Sequence, residues 1–247
     1  MKILIIGNGV VGNNMHKLFP DADIHDPAKN IFAAYNFYDI GFICVPTEKK
    51  EDGTCDISIV QHVITEFSDR CRVLCIRSTV PPGFTETYKD KCIFQPEYYG
   101  GTQHANHNDY DFIILGGSKS LSGLVAEAYK NIYTGSLRIL KTDSRTAEVC
   151  KYMENSWLAL KVTFCNEFYR LAKKLNIDYD ELRELWLADP RINRSHTFSY
   201  MEHPFYSSHC LNKDIPAIIK AAEFSGIDMQ LMKAVMETNE NHKNDPG

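Results

Sequence analysis

A glycine-rich turn near the N-terminus has the spacing that binds dinucleotides. The segment Gly7-Asn8-Gly9-Val10-Val11-Gly12 follows the apolar run Lys2–Ile6 and opens a helical pattern over Val10–Leu18. Glycines in such a strand–turn–helix unit let the backbone approach a pyrophosphate at the helix N-terminus. Asp26 ends the next strand candidate, 19 residues after Gly7. A carboxylate there binds the adenine ribose hydroxyls and repels a 2′-phosphate, so the pattern predicts NAD as the cofactor. The predicted cofactor-binding residues here are Gly7, Gly9, Val10, Val11, Gly12 and Asp26.

Cys210 is the candidate nucleophile of the C-terminal half. It stands in a polar stretch before a helical pattern, and His209 and Lys213 nearby favour its thiolate form. Asp214 follows four residues later and is a candidate general base, or the partner that orients one. Cys44, Cys75 and Cys165 lie inside apolar runs, which is typical of buried structural thiols.

Lys151 and Asn155 form a second polar pair with helical spacing. They are four residues apart in a helical pattern and therefore project from one face of the helix. Such a pair can hold an oxyanion or position a water molecule. Each residue by itself also fits an ordinary role, as a solvated lysine or a capping asparagine.

Two different patterns of elements must position these residues. Up to about residue 140, short β-rich runs alternate with helical stretches, which predicts βαβ units and a largely parallel sheet. From Ser144 to Leu175 there is neither Gly nor Pro, and the apolar spacing predicts one long helix. The predicted strands are Lys2–Ile6, Ala22–His25, Ile40–Val45, Arg72–Ile76, Lys91–Phe94, Asp111–Leu115 and Leu137–Leu140. The other predicted helices are Val10–Leu18, Asp56–Phe67, Ser118–Tyr133, Tyr179–Leu187, Ile215–Phe224 and Met229–Asn239, with a frayed tail over Asn239–Gly247.

These patterns predict an α/β chain in two parts. Residues 1–142 are expected to form a Rossmann-type NAD-binding domain with a doubly wound parallel sheet. Residues 143–247 are expected to form a smaller all-helical domain built on the long helix.

Composition excludes several classes of protein and partner. Of the 247 residues, 44% are hydrophobic and 24% charged, as in an average globular chain. The net charge is −5 without a basic run, so no nucleic-acid partner is expected. The N-terminal apolar run is too short for a signal peptide, and no stretch approaches the roughly 20 apolar residues of a membrane span. Eight cysteines, several in apolar runs, fit reduced thiols and a cytoplasmic location.

No metal site is expected from the sequence. His104, His107 and Asp109 are close together, but they lie in a turn-rich loop without a third spaced ligand. Cys71 and Cys75 do not have the spacing of a zinc site.

Several segments, in order, resemble the UDP-glucose/GDP-mannose dehydrogenase family. The resemblance runs from Met1 to about Asn241, and the segments on the long helix and around Cys210 are its most specific parts. The matching segments are Phe42-Ile43-Cys44-Val45-Pro46-Thr47, Arg77-Ser78-Thr79-Val80-Pro81-Pro82-Gly83, Gln95-Pro96-Glu97-Tyr98, Ala147-Glu148-Val149-Cys150-Lys151-Tyr152 with Asn155, Phe164-Cys165-Asn166-Glu167, Asp189-Pro190-Arg191-Ile192 and Cys210-Leu211-Asn212-Lys213-Asp214.

The resemblance implies a function and a set of site residues. It implies oxidation of a primary alcohol of a sugar or nucleotide sugar to the acid, with an aldehyde trapped by Cys210 as a thiohemiacetal and then oxidised to a thioester. It implies a homodimer, in which Arg191 reaches the neighbouring subunit's site. The implied catalytic residues are Cys210, Lys151, Asn155, Asp214, Glu97 and Thr79, and the substrate is expected to contact Glu97, Lys151, Asn155 and Arg191. Further cofactor contacts are implied for Val45, Pro46, Thr47, Ser78 and Thr79.

The sequence departs from the family at three points. A truncated form without the family's C-terminal nucleotide-sugar-binding domain is expected, because the sequence ends at Gly247. Ser207, Ser208 and His209 stand where the family has glycines before the cysteine, which should alter the sugar pocket. Gly101 stands where the family has a second glutamate.

Two other functions remain open on these grounds. A hydroxyacid-type dehydrogenase also uses a helix lysine and asparagine but transfers one hydride without a cysteine, and the segment from Cys210 to Asp214 argues against it. A non-catalytic NAD-binding relative is the other alternative, since fold alone does not establish catalysis.

Overall fold

The computed structural model describes residues 1–98, 111–130, 132–133, 137–200 and 202–244. The strands are β1 (Ile3–Ile6), β2 (Asp23–His25), β3 (Tyr38–Ile43), β4 (Cys71–Ile76), β5 (Cys92–Phe94), β6 (Phe112–Gly116) and β7 (Arg138–Thr142). The helices are α1 (Val10–Leu18), α2 (Ser58–Phe67), α3 (Lys119–Lys130), α4 (Ser144–Lys174), α5 (Tyr179–Trp186), α6 (His209–Phe224) and α7 (Gln230–Asn244). Short 3-10 turns cover Pro27–Lys29 and Thr85–Tyr88.

The seven strands form one sheet in the order β2-β1-β3-β4-β5-β6-β7. All neighbouring strands pair in parallel except β5 and β6, which are antiparallel. The chain runs from β1 to β2 on one side and then to β3 on the other, so the order reverses at β1. Open α/β sheets bind ligands outside the carboxyl ends of the strands at such a reversal.

Both faces of the sheet are covered by apolar packing. On β1, Leu4 and Ile6 belong to the core cluster that includes Val60 of α2, whereas Ile5 belongs to the cluster that includes Met15 of α1. Alternate side chains of a strand point to opposite faces, which explains the continuous apolar runs of the sequence. The predicted α/β fold with a doubly wound, mostly parallel sheet is confirmed.

The chain divides into two compact units, Met1–Lys151 and Tyr152–Gly247. The division falls within α4, which is 31 residues long, as the absence of Gly and Pro predicted. The predicted domain boundary between residues 142 and 143 lies between the end of β7 and the start of α4, and it stays a prediction. The second unit has its own apolar core, formed by Ala159, Tyr206, Leu211, Ile215, Ile219, Met232 and Val235.

Two predictions about the last helices are wrong. The helix predicted from Ile215 begins at His209, so Cys210 lies in its first turn rather than before it. The Ser208 hydroxyl caps this helix by accepting a hydrogen bond from the Leu211 N–H at 3.3 Å, and Leu211 begins the buried face. The tail predicted to fray at Asn239 is helical as far as Asn244, because Asn239 and His242 are buried.

Candidate active site

The glycine-rich turn after β1 is closed on its protein side by backbone. Gly7 has φ +94°, and a Cβ there would lie 2.6 Å from the carbonyl oxygen of Cys44. A Cβ on Gly12 would lie 1.9 Å from the carbonyl oxygen of Gly7. Glycine is therefore required at both positions, which brings the turn against the segment that follows β3.

Gly9 faces the open side of the same turn. It is the N-cap residue of α1, and a Cβ built on it has no atom within 4 Å. The N–H groups of the first helical turn, which begins with Val10 and Val11, have no acceptor within a helix. The turn therefore offers backbone donors beside open space, which fits the pyrophosphate of NAD.

Asp26 lies directly beside the glycine-rich turn. Its Oδ2 accepts a hydrogen bond from the N–H of Asn8 at 2.9 Å. Lys29, which follows β2 in a 3-10 turn, donates from Nζ to the carbonyl oxygen of Asn8 at 2.5 Å. The negative carboxylate of Asp26 and the positive ammonium group of Lys29 thus both lie beside the turn. A cofactor ribose at this position would meet charges of both signs.

The segments after β3 and β4 are tied together at the carboxyl edge of the sheet. The Ser78 hydroxyl donates to the carbonyl oxygen of Val45 at 2.6 Å, and both Ser78 and Thr47 are buried. Pro46 is exposed and Thr79 is partly exposed. The Ser78 hydroxyl therefore fixes the loop that follows β3. Pro46 and Thr79 remain accessible at this edge of the sheet.

Glu97 forms a largely buried ion pair with Arg77. The side chains of Arg77 and Glu97 are 5% and 11% exposed, and the guanidinium donates to the carboxylate Oε2. A guanidinium in this position orients a carboxylate that would otherwise be costly to bury. The family resemblance identified Glu97, but the charge that holds it is recognisable only in the structure.

Lys151 lies over the ring of Tyr98, the residue that follows Glu97. The Lys151 Nζ is 5.4 Å from the centre of the Tyr98 ring, and Lys151 is 9% exposed. The Tyr98 hydroxyl also contacts the Cys150 Sγ at 3.6 Å. Tyr98 thus places the predicted catalytic lysine beside the segment of the predicted catalytic glutamate.

Glu148 fastens the turn after β4 to the start of α4. Its carboxylate accepts hydrogen bonds from the N–H of Gly83 at 2.5 Å and of Thr85 at 2.8 Å, and it is fully buried. Burial raises the pKa of Glu148 above its ordinary value, although the hydrogen bonds from Thr85 and Gly83 act in the opposite direction. Glu148 therefore fixes the segment that carries Thr79 relative to the helix that carries Lys151.

In the second unit, Asn155 and Asp214 meet in a buried polar network. The Asn155 Nδ2 donates to the Asp214 Oδ2 at 2.5 Å, and the Lys213 Nζ bonds the Asp214 Oδ1 at 2.6 Å. Asn155 is 4% exposed and Asp214 is 1% exposed. The carboxylate of Asp214 is thus held by an amide and an ammonium group, as a positioned proton acceptor would be.

Cys210 lies one turn before Asp214 on the same face of α6. All eight cysteines are free thiols, and Cys210 is the exposed one, whereas Cys44, Cys75 and Cys165 are buried as predicted. Burial raises the pKa of Cys44 to about 12 and also raises that of Cys75 and Cys165. Accessibility therefore singles out Cys210 as the thiol that can meet a substrate.

Arg191 lies on the surface of the second unit. Its side chain is 85% exposed, and its guanidinium forms an ion pair with the carboxylate of Asp189, with 2.5 Å between Nη2 and Oδ2. The loop that follows is anchored by buried Lys161, whose ammonium group donates to the carbonyl oxygens of Asn193 and Ser195. Burial lowers the pKa of Lys161. Among the described residues Arg191 pairs with Asp189, and its role in a neighbouring subunit's site stays a prediction.

Gly101, His104, His107 and Asp109 lie outside the described residues. Within the described ranges, no group of three or more His, Cys, Asp or Glu side chains is arranged to hold a metal ion. Likewise, none of the described helices combines the length and the apolar character that crossing a bilayer requires.

Three residues of the first unit were not assigned a role from the sequence. Arg77, Tyr98 and Glu148 each contact a predicted catalytic residue or its loop. A glutamate one turn before Lys151, on the helix face that also carries Asn155, was the signal for Glu148. Spacing offers no such signal for Arg77, because its partner is 20 residues away on another strand end.

Two family models match the chain. The NAD binding domain of the UDP-glucose/GDP-mannose dehydrogenase family matches residues 27–134, and the central domain of the same family matches residues 145–241. The glycine-rich turn and Asp26 precede the first matched range, so their assignment depends on the geometry described above.

Named proteins of known sequence are also similar. UDP-glucose 6-dehydrogenase of Campylobacter jejuni is 33% identical over 227 residues, which are 87% of this chain and 56% of that protein. GDP-mannose 6-dehydrogenase of Pseudomonas aeruginosa is 29% identical over 230 residues, which are 82% of this chain and 51% of that protein. The chain thus spans about half the length of these relatives.

Solved structures share the fold. A UDP-glucose dehydrogenase from Pyrobaculum islandicum superimposes with a TM-score of 0.82 at 23% identity, over 97% of this chain and 68% of that one. A UDP-D-ManNAc dehydrogenase from Pyrococcus horikoshii gives a TM-score of 0.79 at 22% identity, with the same coverage.

Proposed function

Since this chain belongs to the UDP-glucose/GDP-mannose dehydrogenase family, we propose that it is an NAD-dependent oxidoreductase acting on a sugar-nucleotide or related sugar alcohol. The observation that carries the proposal is the buried network of Asn155, Lys213 and Asp214, one helical turn from the exposed thiol of Cys210. A positioned carboxylate and an accessible thiol on one helix face are the pair of groups that acid–base and covalent steps on one substrate require.

In the proposed reaction, the substrate alcohol is oxidised to the acid in two steps. NAD, when bound at the glycine-rich turn, supplies the acceptor for the hydride lost in each step. Asp214 accepts the proton of the alcohol in the first step, and its contacts with Asn155 and Lys213 hold it for that role. Lys151 supplies positive charge that stabilises the developing oxyanion.

Cys210 carries the covalent part of the proposal. Its thiolate adds to the aldehyde carbon to give a thiohemiacetal, and loss of the second hydride leaves a thioester. Water then attacks the thioester carbon, the C–S bond breaks, and the acid and the Cys210 thiol are released. Glu97, held by Arg77, is the proposed base that takes a proton from that water.

We also propose that the chain acts as a homodimer through α4. The exposed side of this helix in the second unit is apolar at helical spacing, with Met153 at 73% and Trp157 at 56% exposed. Phe164, Phe168, Leu171 and Leu175 continue it, each more than 40% exposed. A long apolar stripe is typical of a helix that packs against a second copy, and Arg191 would then be available to the partner. Sedimentation showing only monomer at micromolar concentration would contradict this arrangement.

The eight free thiols favour a reducing compartment, and we place the protein in the cytoplasm on that ground.

The decisive experiment measures NADH formation with a panel of UDP-sugars, GDP-sugars and free sugars. The proposal predicts NADH from one class of these substrates, with two NADH per substrate. One NADH per substrate, unchanged by Cys210→Ala, would favour a hydroxyacid-type dehydrogenase. NAD binding without NADH from any substrate would favour a non-catalytic relative.

A further inference from the structure

Asn239, on α7, forms a two-bond pair with the backbone of one residue. Its Oδ1 accepts a hydrogen bond from the N–H of Tyr206 at 2.7 Å, and its Nδ2 donates to the carbonyl oxygen of Tyr206 at 3.1 Å. Asn239 is 1% exposed and Tyr206 is 6% exposed. An amide side chain is the group that can satisfy both backbone functions of one residue at once, because it holds a donor and an acceptor side by side.

Tyr206 lies in irregular backbone that leads into α6. Residues 206–208 belong to no helix or strand, so no ladder satisfies their backbone groups. A buried N–H or carbonyl group without a partner is costly, and Asn239 supplies the partners that regular structure supplies elsewhere. The Tyr206 side chain is at the same time packed in the core of the second unit.

This segment fixes the start of the helix that carries Cys210. Ser208, two residues after Tyr206, is the N-cap of α6, and Cys210 is the second residue of the helix. The segment is therefore held at one end by Asn239 and at the other by the Ser208 cap. Only three residues separate Tyr206 from Cys210, so the contacts of Tyr206 and Ser208 restrict the backbone that carries the thiol.

We propose that Asn239 is a positioning residue for Cys210. It fixes the peptide of Tyr206, and through the Ser207-Ser208 connection it holds the first turn of α6, in which the Cys210 thiol lies. The proposal rests on the proposed function for its catalytic consequence, but the position of the thiol can be measured without any substrate.

The test compares Asn239→Asp with Asn239→Ala, and uses Asn241→Ala as the control. Aspartate keeps the shape and the acceptor but loses the donor to the Tyr206 carbonyl, whereas alanine loses both bonds. Asn241 lies on the same helix and is exposed, so it matches residue type and element without the contact. Each variant is assayed for Tm, for the rate of Cys210 alkylation by iodoacetamide, and for kcat and KM.

Alkylation is assigned to Cys210 by peptide mapping, with Cys210→Ser as the blank. We expect both Asn239 variants to change the alkylation rate of the folded protein severalfold and to lower kcat about tenfold or more, with the KM for NAD unchanged. Asn241→Ala should match the wild type. A fall in Tm with an unchanged alkylation rate would mean that Asn239 only stabilises the fold, and would overturn the proposal.

Two further outcomes are separable. If no NADH forms with any sugar, the proposed function fails, whereas a changed alkylation rate still supports the positioning role. If neither Asn239 variant folds, hydrogen exchange on the wild-type protein decides, since the proposal requires the Tyr206 N–H to be as protected as the helical N–H of Asn212. Rapid exchange at Tyr206 would overturn it.

Discussion

Asn155 and Asp214 are joined by a buried hydrogen bond of 2.5 Å, although 59 residues separate them in sequence. The bond connects the long helix α4 to α6, and it brings an amide donor to a carboxylate that Lys213 also contacts. Asn155 of α4 and Lys213 of α6 thus both donate to the carboxylate of Asp214.

Asp214→Asn should remove activity while leaving the fold. The asparagine keeps an oxygen for the Asn155 amide but cannot accept a proton, so we expect kcat to fall by about 10²-fold or more. NADH absorbance measures kcat, and thermal unfolding checks the fold. Asp180→Asn, an exposed aspartate in the first turn of α5, is the control and should be neutral. Unchanged turnover in Asp214→Asn would exclude Asp214 as the base.

Cys210→Ser should retain first-step chemistry and stall afterwards. The oxygen ester that forms has a poorer leaving group than a thioester, so steady-state turnover falls by orders of magnitude, at about 1.4 kcal/mol for each factor of ten. Cys210→Ala should give at most one NADH per substrate, because no covalent hold remains for the second step. Lys151→Ala should slow both steps. Full activity in Cys210→Ala would refute the covalent mechanism.

Gly9 and Gly7 should respond to substitution in opposite ways. A Cβ on Gly9 meets no atom within 4 Å, so Gly9→Val should fold normally but block NAD binding, as calorimetry would detect. Gly7→Ala should lower Tm, because φ is +94° and the Cβ would lie 2.6 Å from the Cys44 carbonyl oxygen. Gly123→Ala on α3, also without neighbours, should leave both NAD binding and Tm intact. A Gly9→Val variant that binds NAD normally would place the cofactor elsewhere.

Asp26 and Lys29 should set the preference between NAD and NADP. The wild type should prefer NAD, because a 2′-phosphate would face the Asp26 carboxylate. Asp26→Asn should narrow this preference, since it removes the carboxylate beside Asn8 and leaves the Lys29 ammonium group there. The double variant Asp26→Asn/Lys29→Ala should bind NADP more weakly than Asp26→Asn alone. Calorimetric titration with both cofactors measures the ratio, and equal affinities in the wild type would contradict the placement.

Glu148 should make stability depend on pH. Burial raises its folded pKa above the ordinary 4.5, so its contribution to stability is fully present below that value and is lost as pH rises through the folded pKa. Glu148→Gln does not titrate and loses an acceptor for a backbone N–H, at a cost of about 1–3 kcal/mol. The Tm advantage of the wild type over Glu148→Gln should therefore shrink as the pH rises above about 4.5. Glu154→Gln, at an exposed position of α4, should show no such trend.

The sequence by itself predicted most of the elements and named the candidate reactive residues. Continuous apolar runs predicted buried strands, and the Gly-free stretch from Ser144 predicted α4, because periodicity and the exclusion of Gly and Pro are local properties. The glycine spacing and Asp26 predicted the dinucleotide turn for the same reason, since one strand, one turn and one helix contain it. Cys210, Lys151, Asn155 and Asp214 were predicted from residue type, spacing and the order of the family's segments, and their catalytic roles stay predictions.

Only the tertiary structure decided how those residues are held. The start of α6 at His209 depends on a cap and on a buried face that begins at Leu211, so local polarity gave the wrong start. Asn239 looked like the beginning of a frayed tail, but its burial against Tyr206 makes it part of the core. Arg77 reaches Glu97, and Asn155 reaches Asp214, across separations that carry no periodic signal. Contacts between distant segments depend on the packing of whole elements, which spacing along the chain does not encode.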